Sequence, residues 1–358
     1  MESSLPSMEG PVCPLPLAHE EQIVIGHGSG GRMTHDLIRK VFMPRLSSTP
    51  LAAGNDFARL ILPDGAALRG RLAISTDSHI VTPLIFPGGD IGRLAVCGTV
   101  NDMSMSGAVP LYLTAGFILE EGLPVSMLEQ VLDSMRAAAE EAGVQIVAGD
   151  TKVVERGKAD RLFINTAGVG WIPEEVSTGG ELARPGDVVL VSGTLGDHGI
   201  AVLAARGELG FETGIQSDVA PLNHMIAAVL QAAPHTHVLR DPTRGGLATT
   251  LNEIAGQSKV SVWLDEKAIP IHPAVRAACE MLGFDPLYVA NEGKLIVIVP
   301  EEEAQAALEA MRASRYGAAA ARIGVIKASD PGRVLVKTLI GGTRIMDMLA
   351  GEMLPRIC

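Results

Sequence analysis

The chain has 358 residues and a net charge of −12, and it is 47 % hydrophobic but only 3 % aromatic. That length holds two ordinary domains, and the negative balance argues against nucleic acid or an anionic membrane surface as the main partner. No apolar run reaches the roughly 18–20 residues of a membrane span. Met1 to Glu20 carries acids and prolines without the basic-then-apolar order of a signal peptide. The four cysteines, Cys13, Cys97, Cys279 and Cys358, form no CxxC pair. Together these features predict a reduced, cytoplasmic protein.

Residues 1–20 read as a loose leader. Gln22 to Ile25 is then followed by Gly26-His27-Gly28-Ser29-Gly30-Gly31, a literal G-x-G-x-x-G. Glycine-rich backbone lets N–H groups approach a phosphate closely. A dinucleotide-binding turn needs a following helix, a second strand and an acid about 20 residues on. Thr34 to Val41 could supply the helix, but the region near residue 50 is Ser-Thr-Pro-rich. A loop covering phosphates, a dinucleotide turn and a plain flexible loop all stay open. Asp64-Gly65 follows a short apolar run and is equally a turn or a ligand. Leu72 to Ser75 is predicted as a strand ending in Thr76-Asp77-Ser78.

Asp90 to Met105 is predicted as a helix of small residues holding Asn101-Asp102. An acid in that setting must pair or bind a cation, because an isolated buried charge is costly. Leu111 to Leu119 reads as a continuous apolar strand. Ser126 and Glu129 have the spacing of a capping box, and Leu128, Val131, Leu132, Met135, Ala138 and Ala142 recur at helical intervals up to Gly143. Val144 to Ala148 is a strand running into Gly149-Asp150-Thr151-Lys152, an acid, a hydroxyl and an amine that suit phosphate and its metal. Leu162 to Val169 is one more strand.

A polar, Gly- and Pro-rich stretch at 178–186 marks the domain boundary. The expected domains are 21–180 and 181–345, with a tail at 346–358. In the second, Asp187 to Ser192 is a strand, and helices are predicted over 200–205 and 222–232. Arg240-Asp241-Pro242-Thr243-Arg244-Gly245-Gly246-Leu247 opens a helix, an anion-attracting position. Asn291-Glu292-Gly293-Lys294 precedes the strand Leu295 to Val299, and Glu301 to Ala313 is a helix. His235 and His237 have H-x-H spacing with no third ligand nearby. The chain stops at Pro355-Arg356-Ile357-Cys358. A thiol at a terminus is either a frayed end or a group that can enter and leave a pocket.

Read from the residues alone, the glycine loop and the spaced acids Asp64, Asp77, Asp102, Asp150 and Asp241 suggest a nucleotide phosphate site using Mg²⁺. Separate turns and caps are the alternative. In order, Gly28-Ser29-Gly30-Gly31, Asp64-Gly65-Ala66-Ala67, Ser75-Thr76-Asp77-Ser78, Asn101-Asp102-Met103, Gly149-Asp150-Thr151-Lys152, Asp241 to Leu247 and Asn291-Glu292-Gly293 resemble the superfamily of aminoimidazole ribonucleotide synthetase, selenophosphate synthetase and thiamine-monophosphate kinase. The ending Pro355-Arg356-Ile357-Cys358 is similar to that of its carbamoyl dehydratase branch, which serves NiFe hydrogenase maturation. The likeness runs from about residue 21 to 358.

The resemblance implies a two-domain α+β, PurM-like fold, dimerising through the N-terminal domain into a barrel-like sheet. It implies that a separate carbamoyltransferase, HypF, loads a carbamoyl group onto Cys358. ATP would then drive its dehydration to a thiocyanate, and the cyano group would pass to iron on the HypC–HypD scaffold. It gives Asp64, Asp102 and Asp241, then Asp77 and Asp150, as metal ligands. Gly28, Ser29, Gly30, Gly31, Thr76, Asn101, Thr151, Thr243 and Arg244 would contact the nucleotide. Lys152 would steady phosphate charge, and Glu292 would be the base with His27 as runner-up. A selenophosphate synthetase would want a reactive Cys in the glycine loop, where this chain has His27. A non-catalytic carrier presenting Cys358 is the remaining alternative.

Overall fold

The computed structural model describes residues 21–24, 27, 36–46, 70–207 and 214–348. Gly28, Ser29, Gly30, Gly31, Asp64 and Cys358 lie outside them, as do the leader 1–20 and the end of the tail. The architecture is α+β, with a four-stranded and a seven-stranded sheet.

The first sheet holds β1 (Gly70–His79), β4 (Val109–Glu120), β5 (Gln145–Val154) and β6 (Leu162–Pro173) in the order β1-β6-β4-β5. β1 and β4 run antiparallel to β6, and β5 is parallel to β4. A short ribbon, β2 (Ile85–Phe86) with β3 (Gly89–Asp90), leads into α1 (Ile91–Met105). The Asp90 carboxylate accepts from the backbone N–H groups of Gly92 and Arg93, at 2.7 and 3.0 Å, and so starts that helix. α1 is buried nearly all round. Such a helix must be covered on every side: the sheet covers it on one side, and the helix that follows β4 together with the second domain covers the rest. α2 (Val125–Ala142) is amphipathic, burying Leu128, Val131, Leu132, Met135 and Ala138 and ending at Gly143 with φ 72°. Glycine meets that left-handed requirement without strain.

The expected capping box fails. α2 starts at Val125 after Pro124, with no side-chain cap. The Val125 N–H instead donates to the Glu21 carbonyl at 3.0 Å, so tertiary pairing replaces the local cap. The strands are also longer than expected. Thr76-Asp77-Ser78 and Asp150-Thr151-Lys152 lie within β1 and β5, not beyond their ends. Cross-strand pairing extends through polar residues that propensity alone would assign to turns.

The second sheet is ordered β13-β12-β9-β11-β7-β10-β8, with β7 (Val188–Val191), β8 (Val238–Arg240), β9 (Ser261–Asp265), β10 (Ile296–Val299), β11 (Ala321–Lys327), β12 (Arg333–Lys337) and β13 (Thr343–Ile345). Every residue of β7 and β10 is buried, as continuous apolar strands covered on both faces must be. Val189 and Val191 pack with Leu247 and Leu251 of α5 (Gly246–Ser258). Val188 and Leu190 pack with Met225 and Ile226 of α4 (Asn223–Ala232) and with α7 (Ala304–Ala313). α3 (Asp197–Ala205) and α6 (Pro273–Leu282) form a smaller cluster around Ile200 and Val275. β9 and α6 have no counterpart in the sequence reading. Among the described residues, no helix is long and apolar enough to cross a membrane.

Candidate active site

Alternation along β1 sends Ser75, Asp77 and His79 to one face, the face that α1 covers. A β-carbon added at Gly98 of α1 would sit 2.8 Å from His79 and 3.4 Å from the Asp77 carboxylate, so the missing side chain makes room for both. Ser75 Oγ donates to Asp102 Oδ2 at 3.0 Å. Burial pushes the Asp102 carboxyl up to about 7, and the neighbouring charges of Asp241 and Asp77 add to the rise. Asp241 moves the same way, through burial first and Asp77 later. His79, buried, stands 3.5 Å from Asp77 and is pushed below the usual imidazole range by desolvation. Asp77, Asp102 and Asp241 are thus near enough for their charges to act on one another where α1 meets the second domain. Arg244 is close enough for its charge to act on His79.

Thr243 and Arg244 lie just before α5, whose N-cap is Gly245 at φ 76° and whose first residue is Gly246 at φ 60°. A β-carbon on Gly246 would meet the Leu287 and Val289 carbonyls at 2.7 Å. This glycine pair lets the helix N-terminus sit against that loop.

The loop Ala290 to Lys294 is anchored from both domains. Asn291 Nδ2 donates to the Pro242 carbonyl at 2.8 Å, and its Oδ1 accepts from Gly196 N–H at 2.7 Å. Glu292 is buried. Its N–H donates to Asp218 Oδ1 at 3.0 Å, and its carbonyl accepts from Asn101 Nδ2 at 3.4 Å. Asn101 also donates to the Ala220 carbonyl and accepts from Leu222 N–H. Its amide thus braces α1 to the second domain.

The remaining residues lie elsewhere. Ser78, Asn165, Gly116 and Asp150 occupy one row across the first sheet. Asp150 is thus three strands from β1, about 14 Å at normal strand spacing, and on the face opposite Asp77. It is exposed and pairs with Lys152 Nζ at 2.8 Å, which holds its carboxyl below the usual range. Thr151 is half-buried beside it. Thr76 Oγ1 donates to the Thr166 carbonyl at 3.1 Å. His27 is buried, and its Nδ1 accepts from Val24 N–H at 3.1 Å. His235 and His237 turn to separate acids, Glu303 and Asp187. Cys97 and Cys279 are buried, and burial pushes their thiols up to about 12 and 11, far from thiolate at neutral pH.

Sequence reasoning passed over Ser75, His79, Asp218 and Lys294. The i, i+2, i+4 spacing of Ser75, Asp77 and His79 was a usable signal. Asp218 lies in an irregular segment that carries none.

Residues 62–172 match the N-terminal domain of AIR synthase related proteins, and residues 184–337 match the C-terminal domain of the same group. The carbamoyl dehydratase HypE of Cupriavidus necator is 53 % identical over 337 residues, covering 94 % of this chain and 95 % of that protein. A crystal structure of the hydrogenase maturation protein HypE in complex with ATP superposes with a TM-score of 0.88 at 52 % identity, covering 94 % of this chain and 99 % of the other. A HypE–HypF complex gives 0.76 at 49 % identity, covering 87 % and 99 %. The two matched domains define the class: a two-domain AIR-synthase-related protein. Within that class, the chain belongs to the HypE family of carbamoyl dehydratases in hydrogenase maturation.

Proposed function

We propose that this chain uses ATP and Mg²⁺ to dehydrate a carbamoyl group, carried as a thiocarbamate on Cys358, to the thiocyanate. The observation that carries this reading is the convergence of Asp77, Asp102 and Asp241 in a chain of this family, with Asp102 pushed up to about 7. Like charges so gathered favour a divalent cation. Mg²⁺ commonly takes one or two carboxylates and completes its shell with phosphate and water oxygens. Among the described residues, no three His, Cys, Asp or Glu side chains could hold a metal on their own, so the ion would need oxygens from ATP or water. Asp102 and Asp241 are the first candidates here, with Asp77 beside them and Asp64 a further one from the sequence. When bound, the ion spreads the charge of the transferring phosphoryl group.

The γ-phosphoryl goes to the carbamoyl oxygen and turns a poor leaving group into phosphate. The C–O bond then breaks, the nitrogen gives up its two protons, and Cys358 Sγ keeps the C≡N group. The products are ADP, phosphate and the thiocyanate, with the two protons ending on phosphate or solvent. Glu292 accepts a proton from nitrogen, with His27 as the alternative acceptor. Arg244 and the glycine loop are candidates for contact with nucleotide phosphates, whereas the Asp150–Lys152 pair lies on the opposite face of the first sheet from Asp77. The carbamoyl donor is a HypF-type carbamoyltransferase, consistent with the HypE–HypF relative. The cyano acceptor is iron on a HypC–HypD scaffold.

The test is ATP turnover in the presence of carbamoyltransferase and carbamoyl phosphate. Cys358→Ala should bind Mg-ATP normally and lose the turnover that depends on carbamoylation. Turnover by Cys358→Ala at the wild-type rate would reject the reading.

A further inference from the structure

Behind Glu292 lies a buried charge pair that the proposed chemistry does not use. Lys294 is only 7 % exposed, and its Nζ is 3.0 Å from Asp218 Oδ2 and 3.8 Å from Asp197 Oδ2. The Asp218 side chain is also buried, and its other oxygen, Oδ1, accepts the Glu292 N–H at 3.0 Å. One carboxylate thus ties the backbone of Glu292 to the ammonium of Lys294. The backbone between them is close as well. A β-carbon at Gly293 would lie 1.8 Å from the Asp218 carbonyl, so only glycine permits this approach. The strand of chain carrying Asp218 is fixed in turn. Arg93 Nε donates to the Val219 carbonyl at 3.0 Å, and His198 Nδ1 lies 2.8 Å from Ser217 Oγ. The pair forms one end of a cavity of about 310 Å³ at the domain junction, bordered by Arg93, Glu141 and Tyr316.

A buried ion pair is weak support for stability, since desolvation offsets most of its attraction. Its geometric effect is clearer. Charge-assisted bonds are directional, and the one to Asp218 Oδ1 ends on the amide of the residue read as the base, while Oδ2 meets Lys294 as an ion pair. We infer that Asp218 and Lys294 are positioning residues that hold Glu292 in register with the reacting carbamoyl nitrogen. This rests on the reading of Glu292 as the proton acceptor. A displacement of about 1 Å at a reacting group can cost on the order of 10²-fold in rate.

The test compares thiocyanate formation on carbamoylated protein for Asp218→Asn, for the charge-neutral double variant Asp218→Asn/Lys294→Met, and for Lys294→Arg. Each is made in the wild-type and Glu292→Gln backgrounds, with Mg-ATP-induced thermal stabilisation as the check on folding. We expect kcat to fall by about 10²-fold in Asp218→Asn and the double variant, while KM for ATP stays within about twofold. Lys294→Arg should keep most of the rate. In the Glu292→Gln background the same changes should cost nothing further, because residues acting as a unit are non-additive. Losses that multiply in that background, a KM that rises in step with the fall in kcat, or an unchanged kcat would each overturn the positioning role. An unchanged rate in Glu292→Gln alone would instead reject Glu292 as the base.

Discussion

At the scale of single residues, the site gathers like charges that the nearby Arg240 guanidinium offsets only in part. Asp102 shows the consequence. Its carboxyl is pushed up to about 7 by burial and by Asp241 and Asp77, whereas an unfolded Asp titrates near 3.9. The folded chain therefore binds more protons than the unfolded chain between those values, and this group's contribution to stability falls as pH rises through that window. Without nucleotide or divalent metal, Asp102→Asn should be more stable than wild type at pH 8, by roughly 2 kcal/mol after allowing for partial hydration. The two should draw together near pH 4. Thermal melts at both pH values check this, and a variant less stable than wild type at pH 8 would contradict it. With Mg-ATP the sign should reverse, because the variant loses a carboxylate that the cation would use. Glu292→Gln carries a separate expectation: Cys358 still accepts a carbamoyl group, but thiocyanate formation slows by about 10²–10⁴, the usual effect of losing a general base.

At the scale of elements, two helix starts make contrasting predictions. The Asp90 carboxylate caps α1 through the N–H groups of Gly92 and Arg93, so Asp90→Ala should cost about 1–2 kcal/mol. Ser126 makes no cap for α2, so Ser126→Ala should stay within about 0.5 kcal/mol. Denaturant unfolding separates the two, and equal losses would mean that Ser126 caps after all. Most helices and apolar strands were legible in the sequence because their pattern was clean, helical spacing in α2 and unbroken apolar runs in β7 and β10. Asp77 and Asp150 were read as strand ends because polar residues resemble turns, yet pairing with β6 and β4 carries both strands through them. β9 was missed although it lies inside the second sheet, since five residues with one Asp give little periodic signal. Asp102 was legible as an acid needing a partner because its stretch of α1 is mostly Thr, Val, Met and Ser. Its neighbour Asn101 looked like part of a nucleotide site, but long-range pairing with Ala220, Leu222 and Glu292 gives it a bracing position that no local pattern encodes.

At the scale of the whole molecule, the first sheet leaves large apolar side chains uncovered on the face away from α1. Leu72 is 55 % and Ile74 is 74 % exposed, and Ile118 of β4 is exposed as well. Such a face favours a partner surface, and we expect a second copy of this chain. Light scattering should give about twice the 37.5 kDa chain mass, and Ile74→Glu should shift the protein towards monomer. A wild-type monomer at micromolar concentration would count against that assembly. The junction between domains ties this architecture to the chemistry, since α1 carries Asp102 and Asn101 while the second domain supplies Asp241 and Glu292. We propose that these groups act together on a carbamoyl group held by Cys358. Intact-mass spectrometry tests it most directly, after incubation with the carbamoyltransferase, carbamoyl phosphate and Mg-ATP. A carbamoyl adduct should map to Cys358 and then lose one water to become the thiocyanate, only when ATP can be hydrolysed. A carbamoyl adduct that persists unchanged while ATP is consumed, or an adduct on another cysteine, would contradict it.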